Sequence, residues 1–114
     1  MYSPLLRYPP PVGQPMQVKD GVILAGLDIR MRPALMFADA IWKEYGQELV
    51  VTSALDGVHS SSSLHYYGLA LDFRTHYFSP EEALAVSADL REVLGHDFDV
   101  VLHSSHIHVE FDPH

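Results

Sequence analysis

The chain has 114 residues, 47% of them apolar, with 15 acidic residues against 7 Lys and Arg and a formal charge of −8. That length suits one domain with a single core, the apolar content excludes wholesale disorder, and the acidic balance argues against a nucleic-acid partner. With no cysteine, disulfides and cysteine-based zinc fingers are excluded as well.

Residues 1–20 carry Pro4, Pro9, Pro10, Pro11 and Pro15. Proline fixes φ and removes a donor, so this segment is expected to be an extended, polyproline-like arm preceding a domain over 21–114. Leu5, Leu6 and Tyr8 favour docking of the arm on the domain, and a free tail is the alternative. Met1 is not followed by a charged segment and a long apolar run, so neither a signal peptide nor a membrane span is expected. Synthesis in the cytoplasm follows from that expectation.

Asp20-Gly21 reads as a turn before Val22-Ile23-Leu24. Met31, Leu35, Ala38, Ile41, Trp42 and Tyr45 recur at steps of three and four, which predicts an amphipathic helix with Pro33 in its first turn and Gly46 at its end. Leu49 to Ser53 is a β-branched strand, and Asp56-Gly57 is a turn signal. Gly68 to Thr75 predicts a strand with Leu69, Leu71 and Phe73 on one face and Ala70, Asp72 and Arg74 on the other. Ser79-Pro80-Glu81-Glu82 is a capping box that opens a second helix, closed by Gly95. Phe98 to Leu102 and His106 to Phe111 read as strands joined through Ser104-Ser105. On the last strand Ile107, Val109 and Phe111 point to the core, while His106, His108 and Glu110 point away. There are no repeats. The order predicts an α+β domain, a small antiparallel sheet with flanking helices, acting as a monomer.

The chemistry-bearing residues gather in two short segments, His65-Tyr-Tyr-Gly68-Leu-Ala-Leu-Asp72 and His106-Ile-His108. Their spacing suits one tetrahedral zinc held by His65, Asp72 and His108, with the fourth position open as in catalytic sites. Asp72 interrupts an apolar run where an uncompensated buried carboxylate would cost several kcal/mol, and a metal accounts for it. Histidines unrelated to any site are the competing reading, because the chain has eight. His76, His96 and His114 have no partner pattern and are read as surface residues.

Asp56-Gly-Val-His59-Ser-Ser-Ser-Ser-Leu-His65-Tyr-Tyr-Gly68-Leu-Ala-Leu-Asp72 together with His106-Ile-His108 resembles the zinc peptidases of the D-Ala-D-Ala carboxypeptidase and L-alanyl-D-glutamate endopeptidase group, in their phage form. It is also similar to the related signalling domain of hedgehog proteins, through Ser-Leu-His-Tyr-x-Gly and His-Ile-His. The resemblance covers roughly residues 48–112, and the combined motif is specific where either half alone is weak. It implies a hedgehog/DD-peptidase-like fold, the same zinc triad, and a peptidoglycan stem peptide as substrate, acting endolysin-like at the cell wall or in a virion. It further implies that His106 lines the site beside the metal and that His59 is the site-lining histidine of the hedgehog branch.

Two departures stand out. Relatives place a Glu or Asp shortly before the His-x-His pair as general base, and this chain reads Leu102-His103-Ser-Ser-His106. Either His103 takes the proton, which a neutral imidazole can do near pH 7, or the domain binds zinc and a cell-wall peptide or protein partner without catalysis. Many relatives also carry an Arg just after the Thr-Ser strand to hold substrate, where this chain has Ala54-Leu55-Asp56. Arg74 is a candidate substitute for gripping a carboxylate, with a solvated charge as the alternative. Glu110 is either an outer carboxylate orienting a ligand histidine or a solvated strand residue.

Overall fold

The structure, a computed structural model, describes residues 16–54 and 67–113. The expected histidines His59, His65 and His114, most of the proline-rich segment and the Asp56-Gly57 turn lie outside the described residues.

Strand β1 (Gln17–Val18) is followed by a 3₁₀ turn at Ile29–Met31 and helix α1 (Arg32–Glu44). Strands β2 (Val50–Ser53) and β3 (Ala70–Arg74), helix α2 (Pro80–Leu94), and strands β4 (Phe98–Leu102) and β5 (His106–Phe111) complete the order. The five strands form one sheet in the order β1-β2-β3-β5-β4, giving the α+β arrangement expected. The sheet is antiparallel except at one edge, where β1 runs parallel to β2 with Gln17 opposite Val50 and Val18 opposite Val51. The last part of the segment read as an arm is therefore an edge strand of the sheet, held by Gln17 N–H to the Leu49 carbonyl and Lys19 N–H to the Val51 carbonyl at 2.8 and 3.0 Å. No helix among the described residues is long and apolar enough to cross a membrane.

Local chemistry sets the helix ends. The Asp28 carboxylate accepts from the Arg30 amide at 2.9 Å and caps the turn leading into α1. Met31, expected in the helix, falls in that turn. In α2 the Ser79 hydroxyl accepts from Glu82 N–H at 3.1 Å, and the Glu82 carboxylate accepts from Ser79 N–H at 2.9 Å, so two orphan donors are satisfied reciprocally. The helices end at Gly46 and Gly95.

The two faces of the sheet have different fates. Leu71, Phe73, Ile107 and Val109 are fully buried against the helices, each worth about 1.5–3 kcal/mol of burial. Trp42 of α1 meets Phe73 and Phe78 edge-on, both at 5.7 Å between centroids. Its indole N–H donates to the Arg74 carbonyl at 3.0 Å. This tie between helix and sheet fixes the end of β3, where the candidate site begins. Phe111 is only partly buried, stacked edge-on with Phe98 at 5.3 Å. Strand alternation turns Asp72, Arg74, His106, His108 and Glu110 to the opposite face, and all five are partly buried.

Gly68 sets the entry to β3. Its φ is +74°, and a Cβ there would lie 2.6 Å from the Gly26 carbonyl oxygen and 3.2 Å from the Asp28 nitrogen. The Gly68 carbonyl accepts from Asp28 N–H at 2.9 Å, so this loop is clamped to the start of the strand. Gly68→Ala is expected to destabilise the protein by roughly 2 kcal/mol through the left-handed backbone and the backbone clash. Urea unfolding of the variant checks this, and an unchanged midpoint would show that the loop gives way freely.

Tyr45 links the helices, its hydroxyl donating to Asp89 at 2.8 Å. Burial, and then the Asp89 carboxylate, push its pKa up to about 12. The folded state therefore keeps the phenol proton that the unfolded chain loses near pH 10. The stability so gained is complete below about pH 10 and is lost as pH rises towards about 12. Tyr45→Phe is expected to flatten that alkaline loss in unfolding curves measured across the same range.

Candidate metal centre

Asp72 lies on β3 directly opposite His108 on β5. Paired residues of adjacent strands stand side by side, so the register alone brings the carboxylate to the imidazole. The Asp72 Oδ1 to His108 Nδ1 distance is 2.9 Å, and His108 Nε2 is 2.7 Å from Glu110 Oε1. Both ring nitrogens thus face carboxylates. The hydrogen bond to Asp72 raises the His108 pKa first, burial opposes it, and the hydrogen bond to Glu110 raises it again.

Asp72 and His108 supply two donors of the types zinc takes, while the third expected ligand, His65, lies outside the described residues. Glu110 on the far nitrogen holds the His108 ring in its orientation. Glu110 contacts His108, so it is not a freely solvated strand residue.

The hairpin carries the other histidines. His103 N–H donates to the His106 carbonyl at 2.8 Å, closing the connection between β4 and β5. The His103 ring stacks on His106 at 4.7 Å and stands edge-on to His108 at 6.5 Å. His103, His106 and His108 therefore form one continuous group of rings, with His103 exposed and His106 partly buried. The structure brings together Asp72, His108, His106 and His103 of the expected site residues. His65 and His59 lie outside the described residues. His76 and His96 are exposed, as expected of them.

Two features of this face escape sequence reading. A cleft of about 350 Å³ adjoins Asp72 and His106, with Lys19, Thr52, Ser53 and Arg74 in its wall. Lys19 comes from the segment after β1, and nothing in the local sequence signals the parallel pairing that delivers it. An irregularity in the β2–β3 register, between Val51 and Ser53, sits at the same edge, where bulges typically re-aim side chains. Separately, Asp99, Glu110 and Asp112 gather with carboxylate oxygens within 4.8 Å of one another. This all-oxygen set has the hard-cation character of calcium or magnesium sites and gives no support to zinc. It could be anticipated only from the β4–β5 register, which sets Asp99 opposite Glu110.

No family model, no curated protein and no solved structure matches the chain significantly.

Proposed function

We infer that this chain is a zinc-dependent peptidase acting on peptidoglycan stem peptides, with His65, Asp72 and His108 as metal ligands. The observation that carries the reading is the Asp72–His108–Glu110 alignment, a carboxylate and an imidazole at 2.9 Å on opposed strands with a second carboxylate on the ring's far nitrogen. The sequence resemblance supplies the substrate class and the third ligand, His65.

Zinc, when bound, supplies Lewis-acid polarisation of an amide carbonyl and a water made acidic near neutral pH. The chain's own residues do the rest. Glu110 holds the His108 ring in place. His103 accepts the proton released by the attacking water and returns it to the leaving amine. His106, stacked against His103, donates towards the developing oxyanion.

The second reading is a zinc-binding module that recognises a cell-wall peptide or a protein partner without cleaving it. It is favoured by the stretch from Leu102 to His106, which holds no carboxylate to serve as base. Incubation with cell-wall fragments separates the two. Release of D-alanine or of short peptides that stops with chelator and returns with zinc is the expected result. Stoichiometric zinc with no release establishes the binding module.

A further inference from the structure

Strand β4 ends the sheet, with β5 on one side and, among the described residues, no strand on the other. The ladder fixes which backbone groups look outward. His103 N–H reaches the His106 carbonyl and Asp112 N–H reaches the Asp97 carbonyl, so the odd-numbered positions of this segment, Asp99 and Val101 included, bond to β5. The backbone groups of Phe98, Val100 and Leu102 then point to the open side. Two of these groups are held, Phe98 N–H by the Gly95 carbonyl at 3.4 Å and the Val100 carbonyl by the Arg91 guanidinium at 3.1 Å. Val100 N–H and both backbone groups of Leu102 have no hydrogen-bond partner among the described residues.

An edge of this kind is a template for another strand, and proteins commonly blunt it with lysine, proline or a bulge. β4 has none of these. It reads Phe98-Asp-Val-Val-Leu102, pairs with β5 without a register shift, and leaves Val101 43% exposed. A groove of about 670 Å³ lies beside it, between the end of α2 and the strand, where Glu92, Asp99 and Glu110 stand against the one guanidinium of Arg91. A second groove, of about 360 Å³, lies at the other end of the strand and is bordered by Phe78, Ala83, Leu84 and Leu102. The two faces of an added strand therefore meet different surroundings. Side chains on the Asp99 side meet carboxylates, and side chains on the Leu102 side meet apolar groups of α2.

We propose that the open edge of β4 takes an extended peptide as a further strand of the sheet, one that alternates cationic and apolar side chains. Main-chain hydrogen bonds to Val100 and Leu102 supply the hold, and the alternating side chains supply the selectivity. A second copy of the chain is the poorer occupant. Two-fold pairing of β4 with itself would bring together two Asp99–Glu110–Asp112 groups in chains that each carry a formal charge of −8. The proposal does not rest on the peptidase reading, because strand addition needs no metal.

The test uses the full-length chain and three capped heptapeptides: one alternating valine and lysine, one alternating valine and glutamate, and the valine–lysine peptide methylated at every backbone nitrogen. Affinity is read by calorimetry and the place of contact by amide hydrogen exchange. The valine–lysine peptide is expected to bind, and each of the other two to bind at least about tenfold more weakly, the first through charge and the second through lost main-chain bonds. Binding should slow exchange of the Val100 and Leu102 amides and leave those of Asp99 and Val101, already in the ladder, as they were. Val101→Lys should weaken the valine–lysine peptide by roughly tenfold, and Val101→Glu should not. Both change an exposed side chain whose backbone bonds stay with β5, so the fold is kept.

No binding of any peptide, equal binding of the lysine and glutamate peptides, full binding of the methylated one, or slowed exchange away from Val100 and Leu102 overturns the proposal. Slowing of the same two amides in the chain alone as its concentration rises, with a doubled mass in sedimentation, makes a second copy the occupant and overturns it as well.

Discussion

Zinc content is expected to fall from about one equivalent per chain to well below half in Asp72→Ala and in His108→Ala. Each substitution removes one side of the 2.9 Å contact across β3 and β5 and leaves too few donors for a tetrahedral ion. Glu110→Gln is the graded case. It keeps the hydrogen-bonding shape at His108 Nε2, 2.7 Å from the carboxylate in the native protein, but removes the charge, so zinc affinity should drop by roughly 10- to 100-fold. Chelation of the native protein should lower its melting temperature, because the metal binds only the folded state. The far-ultraviolet circular dichroism should nevertheless persist. Asp72 and His108 lie on the face opposite the one on which Leu71, Phe73, Ile107 and Val109 pack with Trp42, and that core is built without them. Metal analysis and melting curves read all of this in one series. Less than about half an equivalent in the native protein, unchanged by Asp72→Ala, would remove the metal centre, and collapse of all secondary structure in chelator would show that the core had been overrated.

Turnover in His103→Ala is expected to fall by roughly 10²- to 10⁴-fold with zinc occupancy intact, the scale of a lost general base. The ring is exposed, stacked 4.7 Å from His106 and set edge-on to His108 at 6.5 Å, which places it beside the Asp72–His108 pair. His103→Glu is the sharper variant. It restores the carboxylate that the resemblance leads one to expect, and it should keep or raise activity while moving the acid limb of the pH–rate profile downwards, since carboxylic acids titrate about two units below imidazoles. His106→Ala should slow turnover without abolishing the acid limb if His106 holds the oxyanion. Full activity of His103→Ala would place the base elsewhere. An inert native protein made active by His103→Glu would identify the chain as a binding module that has lost its catalytic base.

Helix α2 and strands β4 and β5 could be read from local sequence because their signals are local. Ser79-Pro80-Glu81-Glu82 carries both halves of a capping box within four residues, and the alternation from His106 to Phe111 assigns each side chain to a face by a period of two. The same alternation turns Asp72 and His108 each to the side of its own strand away from the core. What it could not supply was the pairing itself. That β3 lies against β5 rather than β4, and that Asp72 meets His108 rather than His106, is a matter of register between segments 36 residues apart. Register is decided by the packing of the opposite face, where Leu71, Phe73, Ile107 and Val109 must all reach the helices at once. The donation of Lys19 to the cleft is of the same kind. Its segment has the composition of a proline-rich arm, and only the Leu49 and Val51 carbonyls left open at the edge of β2 turn residues 17–19 into part of the sheet. Residue types and face assignments are thus properties of the chain over a few positions. The distances that bring Asp72 to His108 and Lys19 to the cleft come from hydrogen bonds between distant segments, which only the folded core brings into line.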